Sequence, residues 1–146
     1  MILGIGVDIL HLARLRGVIA RRGADKVARR ILSEREWEGF RAIGNAEKGD
    51  VIAEQTQFLG TRWAAKEALY KAAYPTYVLT WKQITLLKDA RKPVLSITPR
   101  APTEAERTMR AGRDAPQVDG VHERVHVSLS HDAGVVVAYV VLEGLP

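Results

Sequence analysis

The 146-residue sequence contains no cysteine. It therefore has no disulfide bond, thiolate metal site or cysteine nucleophile, and this absence favours a reducing compartment. It also lacks an apolar run of the roughly 18 residues that a membrane-spanning helix needs. The start, MILGIGVDIL, has neither the basic first part of a signal peptide nor the Arg- and Ser-rich character of a transit peptide. We expect a cytosolic protein without a membrane partner, with a mitochondrial location as the alternative.

Positive charge is in excess, with a formal net charge of +5 and an isoelectric point near 9.7. Seven cations lie in one run that holds a single acid, Asp25: Arg14, Arg16, Arg21, Arg22, Lys26, Arg29 and Arg30. The run is either a solvated helix face or a docking surface for an acidic partner. A basic nucleic-acid-binding module is the rival class. It is disfavoured because no recognisable binding motif is present and aromatic residues are not interleaved with the run.

The first half of the sequence has mainly helical periodicity after an apolar strand at residues 2–7. Apolar residues recur at helical intervals from residue 10 to 32, where glycines divide the pattern into two helical pieces. Ser33 and Glu36 have the spacing of a capping box at the start of the next helix. A long helix is predicted from Val51 to Ala73 and ends before Pro75.

The second half changes to strand periodicity. Short strands are predicted at Ile84–Leu87 and Pro93–Ile97, and the segment VHVSLSH-DAG-VVVAYVVLE predicts a strand, a tight turn and a second strand. The valine runs of the last strand favour burial on both of its faces. Residues 99–124 predict a polar loop or insertion with a short helix at 103–110. We expect a single α+β domain over residues 1–146.

Three polar residues stand in unusual surroundings. Asp8 interrupts an apolar strand, where it either caps the following helix or binds a metal ion. Glu67 lies among alanines in RWAAKEALYKA, and its spacing from Lys71 fits an exposed ion pair as well as an active site. The small residues around it let another backbone or a ligand come close. His131 ends a predicted strand and is either structural or catalytic.

Three segments together resemble the signature motifs of 4′-phosphopantetheinyl transferases. They are GIGVDILHLARL near the start, RWAAKEALYKA in mid-chain and VSLSHD near the end, in the family's order and approximate spacing. The similarity is greatest to the short, single-lobed branch. It extends from Met1 to Glu143. The resemblance implies an α+β fold of one lobe, in which an antiparallel sheet packs with a long helix.

The resemblance also implies an activity: 4′-phosphopantetheine moves from coenzyme A to a serine of an acidic acyl carrier protein, releasing 3′,5′-ADP. Asp8 and Glu67 would hold Mg²⁺, a hard cation that suits carboxylates and substrate phosphates. Lys71 would reach the pyrophosphate, so that Asp8, Glu67 and Lys71 form the catalytic set. Further residues are expected at the coenzyme, namely Arg62, Lys66 and His131. The expected carrier-docking residues are Arg14, Arg21 and Arg22.

Two further expectations follow from the resemblance. A single lobe would complete its active sites by self-association as a homotrimer, with the sites between subunits. An inactive transferase-like scaffold is the alternative function, and the intact acidic pair argues against it. The chain departs from the family after the mid-chain helix, where many members have a Gly-rich, Thr-containing segment and this chain has YPTYVLTW.

Overall fold

The computed structural model describes residues 1–47, 49–89, 92–99 and 123–144. The first half holds strand β1 (Ile2–His11) and helices α1 (Leu12–Arg22), α2 (Ala24–Ile31), α3 (Trp37–Gly44) and α4 (Val51–Ala73). Strands β2 (Ile84–Asp89), β3 (Lys92–Ile97), β4 (Glu123–Asp132) and β5 (Val135–Gly144) follow. Two 3₁₀ turns, Glu34–Glu36 and Trp81–Gln83, precede α3 and β2.

The strands form two antiparallel sheets. Strands β1, β5 and β4 lie side by side in that order, and β2 pairs with β3. The β4–β5 hairpin turns at Ala133 and Gly134, both with positive φ, while the Asp132 carboxylate accepts the Ala133 N–H at 2.8 Å. Positive φ at both central residues is the conformation that two-residue hairpins favour. The predicted strand, turn and strand are confirmed here.

Helix α4 covers one face of the three-stranded sheet. That face is apolar and carries the alternate residues of β5, which are fully buried: Val136, Ala138, Val140 and Leu142. Helix α4 contributes Leu59, Leu69 and a series of buried alanines to the same core. The expected packing of an antiparallel sheet against a long helix is therefore present.

Two glycines of β1 bring this strand unusually close to α4. A Cβ atom at Gly4 would lie 1.9 Å from the Ala72 carbonyl oxygen, and one at Gly6 would lie 1.9 Å from that of Ala68. Only glycine permits this approach of strand backbone to helix backbone. The alanines around Glu67 thus admit a neighbouring backbone, one of the two possibilities that the sequence left open. The next residue of β1 on the same face is Asp8.

The structure agrees with the predicted division of the first helical region, which breaks at Gly23, whose φ is 84°. It differs at β1, which continues past Asp8 to His11. The described residues do not bury both faces of β5 as predicted, since Tyr139 is exposed and Val137 only half-buried. The predicted 103–110 helix and most of the 99–124 segment lie outside the described residues. Within the described part, no helix is long and apolar enough to cross a membrane.

Candidate active site

Asp8 and Glu67 lie in the same cleft, although 58 intervening residues separate them in the sequence. The cleft encloses about 320 Å³ and is lined by Asp8, Ile9, Leu10, Arg14, Leu15, Val18, Trp63 and Glu67. Partial burial raises the pKa of Glu67, the negative charge of Asp8 adds to the increase, and Lys71 opposes it. A carboxylate whose ionisation is disfavoured by a neighbouring carboxylate is a site for a cation.

Lys71 supplies a positive charge to this pair. Its Nζ lies 2.8 Å from Asp8 Oδ1 and donates a second hydrogen bond of 2.9 Å to the Val7 carbonyl oxygen. Trp63, Glu67 and Lys71 follow each other at intervals of four residues on α4, which places them on one side of the helix. The structure therefore brings together Asp8, Glu67 and Lys71, all three members of the expected catalytic set.

Both alternative explanations of the acidic residues can now be assessed. Asp8 does not cap α1, because it lies within β1 and the N-cap position is His11, which makes no side-chain capping bond. Lys71 pairs with Asp8 across two elements, so it is more than an exposed helical partner of Glu67. The site explanation is the one that the geometry supports.

Lys66 faces the core. Its side chain is 1% exposed, and its Nζ donates to the carbonyls of Ile31 (2.7 Å) and Trp81 (3.1 Å) and to Glu36 Oε2 (2.6 Å). Burial lowers the pKa of Lys66 to about 8, an effect that Glu36 opposes. This ammonium joins the end of α2 and both 3₁₀ turns to α4.

Arg62 lies one helical turn before Lys66 and faces the same Glu36. Its guanidinium donates to the carbonyls of Phe58 (3.2 Å) and Leu86 (3.4 Å), and its Nε is 3.6 Å from Glu36 Oε1. Burial lowers its pKa to about 10, again opposed by Glu36. The expectation that Arg62 and Lys66 contact coenzyme A is not supported by these positions, because both side chains are occupied by protein partners away from Asp8 and Glu67.

The cationic run divides between two neighbouring concavities. Arg14 lines the cleft of Asp8 and Glu67. Arg21 and Arg22 line an adjoining groove between α1 and α2, together with Val18, Lys26, Val27, Arg30, Ile31 and Trp63. Val18 and Trp63 border both concavities, so the basic groove adjoins the acidic cleft. This arrangement favours a docking surface over a merely solvated helix face.

His131 is exposed near the end of β4. Its register partner on β5 is Val136, which pairs with Leu10 of β1 on the other side, and Asp8 pairs with Ala138. Alternation along the strands therefore places His131 on the same sheet face as Asp8 but two strands away, about 10 Å or more. Within one chain the structure does not bring His131 to the other site residues.

Two residues at or near this region were not singled out from the sequence. Trp63 borders both concavities, and its position four residues before Glu67 was the available signal. Glu36 was assigned only to the capping box, which the structure confirms, since its Oε2 accepts the Ser33 N–H at 2.7 Å. Its pairing with Lys66, 30 residues away, left no local signal.

Comparison with known proteins identifies the family of this chain. Residues 4–128 match the 4′-phosphopantetheinyl transferase superfamily. A holo-[acyl-carrier-protein] synthase of Serratia proteamaculans is 33% identical over 147 residues, covering 98% of each chain. The chain belongs to the 4′-phosphopantetheinyl transferase superfamily. The predicted membership of this enzyme family, in its short branch, is confirmed.

Solved structures of the superfamily share the fold. A holo-(acyl-carrier-protein) synthase from Bacillus anthracis, in complex with coenzyme A (3′,5′-ADP), has a TM-score of 0.69 and 31% identity, with 99% of each chain covered. A synthase from Neisseria meningitidis has a TM-score of 0.67 and 30% identity, covering 98% of this chain and 99% of its own. The expected α+β transferase fold of one lobe is confirmed by these likenesses.

Proposed function

We propose that this transferase moves 4′-phosphopantetheine from coenzyme A to a serine of an apo acyl carrier protein, with Mg²⁺, and releases 3′,5′-ADP. The observation that carries the proposal is the shared cleft of Asp8 and Glu67, with Lys71 beside them. The names of the relatives and the coenzyme in the B. anthracis structure support it. The inactive-scaffold alternative leaves this arrangement of charges unexplained.

The cleft suits a magnesium ion. Mg²⁺ takes few ligands from protein carboxylates and the remainder from water and substrate phosphates. Two carboxylates match this demand, and the described residues hold no cluster of three or more histidine or acidic side chains that would suit a different metal site. When bound, the ion would neutralise charge on the pyrophosphate and on the departing 3′,5′-ADP.

The protein residues have distinct roles in the proposed reaction. The serine oxygen forms a bond to the phosphorus that carries pantetheine, and the bond from this phosphorus to the oxygen of 3′,5′-ADP breaks. The serine proton goes to Glu67, directly or through one water, because Glu67 is a carboxylate that lines the cleft where the serine would react. Lys71 leaves Asp8 and neutralises the pyrophosphate, while Asp8 becomes free to hold the metal.

The basic groove is the proposed docking site for the carrier. An acidic protein would be attracted by Arg21 and Arg22, and Arg14 would guide its serine into the adjoining cleft. Because the groove and the cleft share a wall, a docked carrier has a short path to Glu67.

A cytosolic location, with a mitochondrial one as the alternative, stays a prediction.

Self-association as a homotrimer completes the proposal. The sheet face opposite α4 exposes apolar residues, with Ile5 53%, Val7 52% and Ile9 69% exposed beside Tyr139. A contiguous apolar face of this kind is typical of a subunit interface. A neighbouring copy would then supply His131 to the coenzyme site, which explains its distance from Asp8 within one chain.

The test is incubation of the protein with coenzyme A, Mg²⁺ and an apo acyl carrier protein, followed by mass spectrometry of the carrier. We expect the carrier to gain the mass of one phosphopantetheine and the gain to disappear with a chelator. A carrier of unchanged mass would overturn the activity, and modification that survives chelation would overturn the metal. Carrier binding without modification would indicate a scaffold, and salt-sensitive retention of DNA without modification a nucleic-acid-binding module.

A further inference from the structure

Two tyrosines form an exposed aromatic pair at the end of α4. The ring centroids of Tyr70 and Tyr74 are 6.4 Å apart, and the ring planes are inclined by 20°, so the rings are stacked. Tyr70 is 38% exposed and Tyr74 is 55% exposed. The Tyr74 N–H donates to the Tyr70 carbonyl at 3.1 Å, which keeps the last helical turn intact beneath the rings. An exposed pair of stacked aromatic rings is a surface on which another planar group can stack.

The position of the pair indicates its partner. Tyr70 directly precedes Lys71 on α4, and Tyr74 is the C-cap residue after the helix, with its ring stacked on that of Tyr70. Side chains three apart on a helix are neighbours, about 5–6 Å between Cβ atoms. Glu67 lies three residues before Tyr70 on the same side. The pair therefore borders the charged residues that the proposed function assigns to the pyrophosphate and its metal. A nucleotide whose phosphates contact Lys71 would bring its base within reach of the rings.

The pair is separate from the proposed subunit interface. Helix α4 covers one face of the three-stranded sheet, whereas Ile5, Val7 and Ile9 project from the opposite face. Lys71, beside the rings, is bonded to the backbone of β1 at Val7, which places this part of the helix along that strand. The tyrosines are therefore not part of the outer apolar face.

We propose that Tyr74 stacks against the purine base of coenzyme A and that Tyr70 positions the Tyr74 ring. This inference rests on the proposed function and extends it to the base-binding surface. Aromatic stacking recognises the face of a base and leaves its hydrogen-bonding edge free. The rings therefore contribute affinity for the nucleotide half of the coenzyme and none for its pantetheine half.

The two halves of the coenzyme give the test. Calorimetric titrations with 3′,5′-ADP and with 4′-phosphopantetheine, which lacks the base, are made in Mg²⁺ buffer on the full chain. Tyr74→Ala is expected to raise the Kd for 3′,5′-ADP at least about 5-fold and to leave that for 4′-phosphopantetheine unchanged. Tyr74→Phe, which keeps the ring, and Ile52→Ala, an exposed truncation at the other end of α4, are expected to bind both ligands like the wild type.

Several results would overturn the inference. The first is an unchanged Kd for 3′,5′-ADP in Tyr74→Ala, and the second is an equal loss of affinity for both ligands. The third is a change in the association state of the variant, measured by sedimentation, that accounts for its lower affinity for 3′,5′-ADP. Failure of the proposed function is recognised separately, because the wild type would then transfer nothing from coenzyme A to the carrier. A wild type that transfers the group while Tyr74→Ala binds 3′,5′-ADP normally leaves the function standing and removes the stacking role.

Discussion

Glu67 is a carboxylate that the folded chain holds at a cost. Burial and Asp8 raise its pKa, so between its normal pKa and the raised value the folded chain binds more protons than the unfolded chain. The contribution of Glu67 to the free energy of unfolding therefore falls as pH rises through this window. A divalent cation in the cleft would offset both causes, the burial of the Glu67 charge and the repulsion from Asp8.

The substitution Glu67→Gln separates this cost from function. We expect the metal-free variant to have a higher Tm than the wild type at pH 7 and a Tm equal to it at acidic pH. Mg²⁺ should raise the Tm of the wild type and not that of the variant. Transfer activity should fall roughly 100-fold or more, the size of a general-base contribution. A variant that melts below the wild type at pH 7 would contradict this account.

Lys66 neutralises a carboxylate that is fully enclosed. Lys66→Met is expected to lower the free energy of unfolding by about 3–5 kcal/mol, because it leaves Glu36 buried without its closest ion-pair partner, with Arg62 Nε 3.6 Å away. The double variant Glu36→Gln/Lys66→Met should recover part of this loss, because it removes the enclosed carboxylate charge and leaves only Arg62 without its acidic partner. Urea unfolding of Lys66→Met, Glu36→Gln and the double variant measures both effects. Additive losses in the double variant would show that the pair does not interact.

The contrast between Lys66 and Lys71 marks the limit of sequence inference at this scale. Lys66 and Lys71 lie within the same helical motif. From their positions in the sequence, either lysine could equally well contact a ligand. The side of α4 decides: Lys71 follows Glu67 by four residues and faces β1, while Lys66 follows Arg62 by four and faces Glu36. Tertiary packing decides which neighbour each side of a helix meets. The helical period shows which residues share a side, but it does not show what that side contacts.

At the scale of the elements, the approach of β1 to α4 controls the site. Gly6→Ala would place a Cβ atom 1.9 Å from the Ala68 carbonyl oxygen, so the strand must move away and carry Asp8 with it. We expect a loss of about 1–3 kcal/mol in unfolding free energy and a loss of activity that persists under conditions where the variant is fully folded. The control is Gly17→Ala in α1, where the nearest atom is an Arg21 side-chain nitrogen at 3.5 Å and stability should not fall. Full activity in folded Gly6→Ala would contradict the proposed link.

Helix α1 carries the proposed carrier contact. Arg14→Glu should raise the KM for the carrier much more than the KM for coenzyme A, because the reversed charge repels an acidic partner at the mouth of the cleft. The effect on the carrier should shrink as ionic strength rises. Steady-state kinetics with each substrate varied in turn measures both constants. Equal changes in the two KM values would remove the docking role.

The elements were predicted unevenly, for identifiable reasons. Helix α4 was predicted with its observed bounds because helical periodicity begins near Val51 and Pro75 limits its end. The structure adds that Asp50 caps its start, accepting the Ala53 N–H at 3.0 Å. Strand β1 was predicted too short because a carboxylate at residue 8 looked incompatible with a strand. The Lys71 ammonium that balances this charge comes from 63 residues away, which no local pattern can show.

At the scale of the whole molecule, the valine-rich strand β5 indicates a missing partner. Its sequence favours burial on both faces, yet the described residues cover only one, and Tyr139 is exposed on the other. Apolar residues of β1 extend this uncovered face. The sequence pattern and the single-chain structure agree if a second copy covers the outer face, as proposed for the trimer.

Sites shared between subunits can be detected by mixing inactive variants. His131→Ala and Lys71→Met should each be inactive alone, and their mixture should regain activity, because a mixed assembly contains sites with an intact His131 from one copy and an intact Lys71 from its neighbour. The matched control is Glu67→Gln mixed with Lys71→Met. Each site needs both residues from the α4 helix of one chain, so no mixed assembly holds an intact site. Val7→Arg, introduced into both partners of the first mixture, should block recovery by placing a charge on the apolar face. No recovery in the first mixture, with assemblies shown to exchange subunits, would place the complete site within one chain and remove the need for His131 from a neighbour.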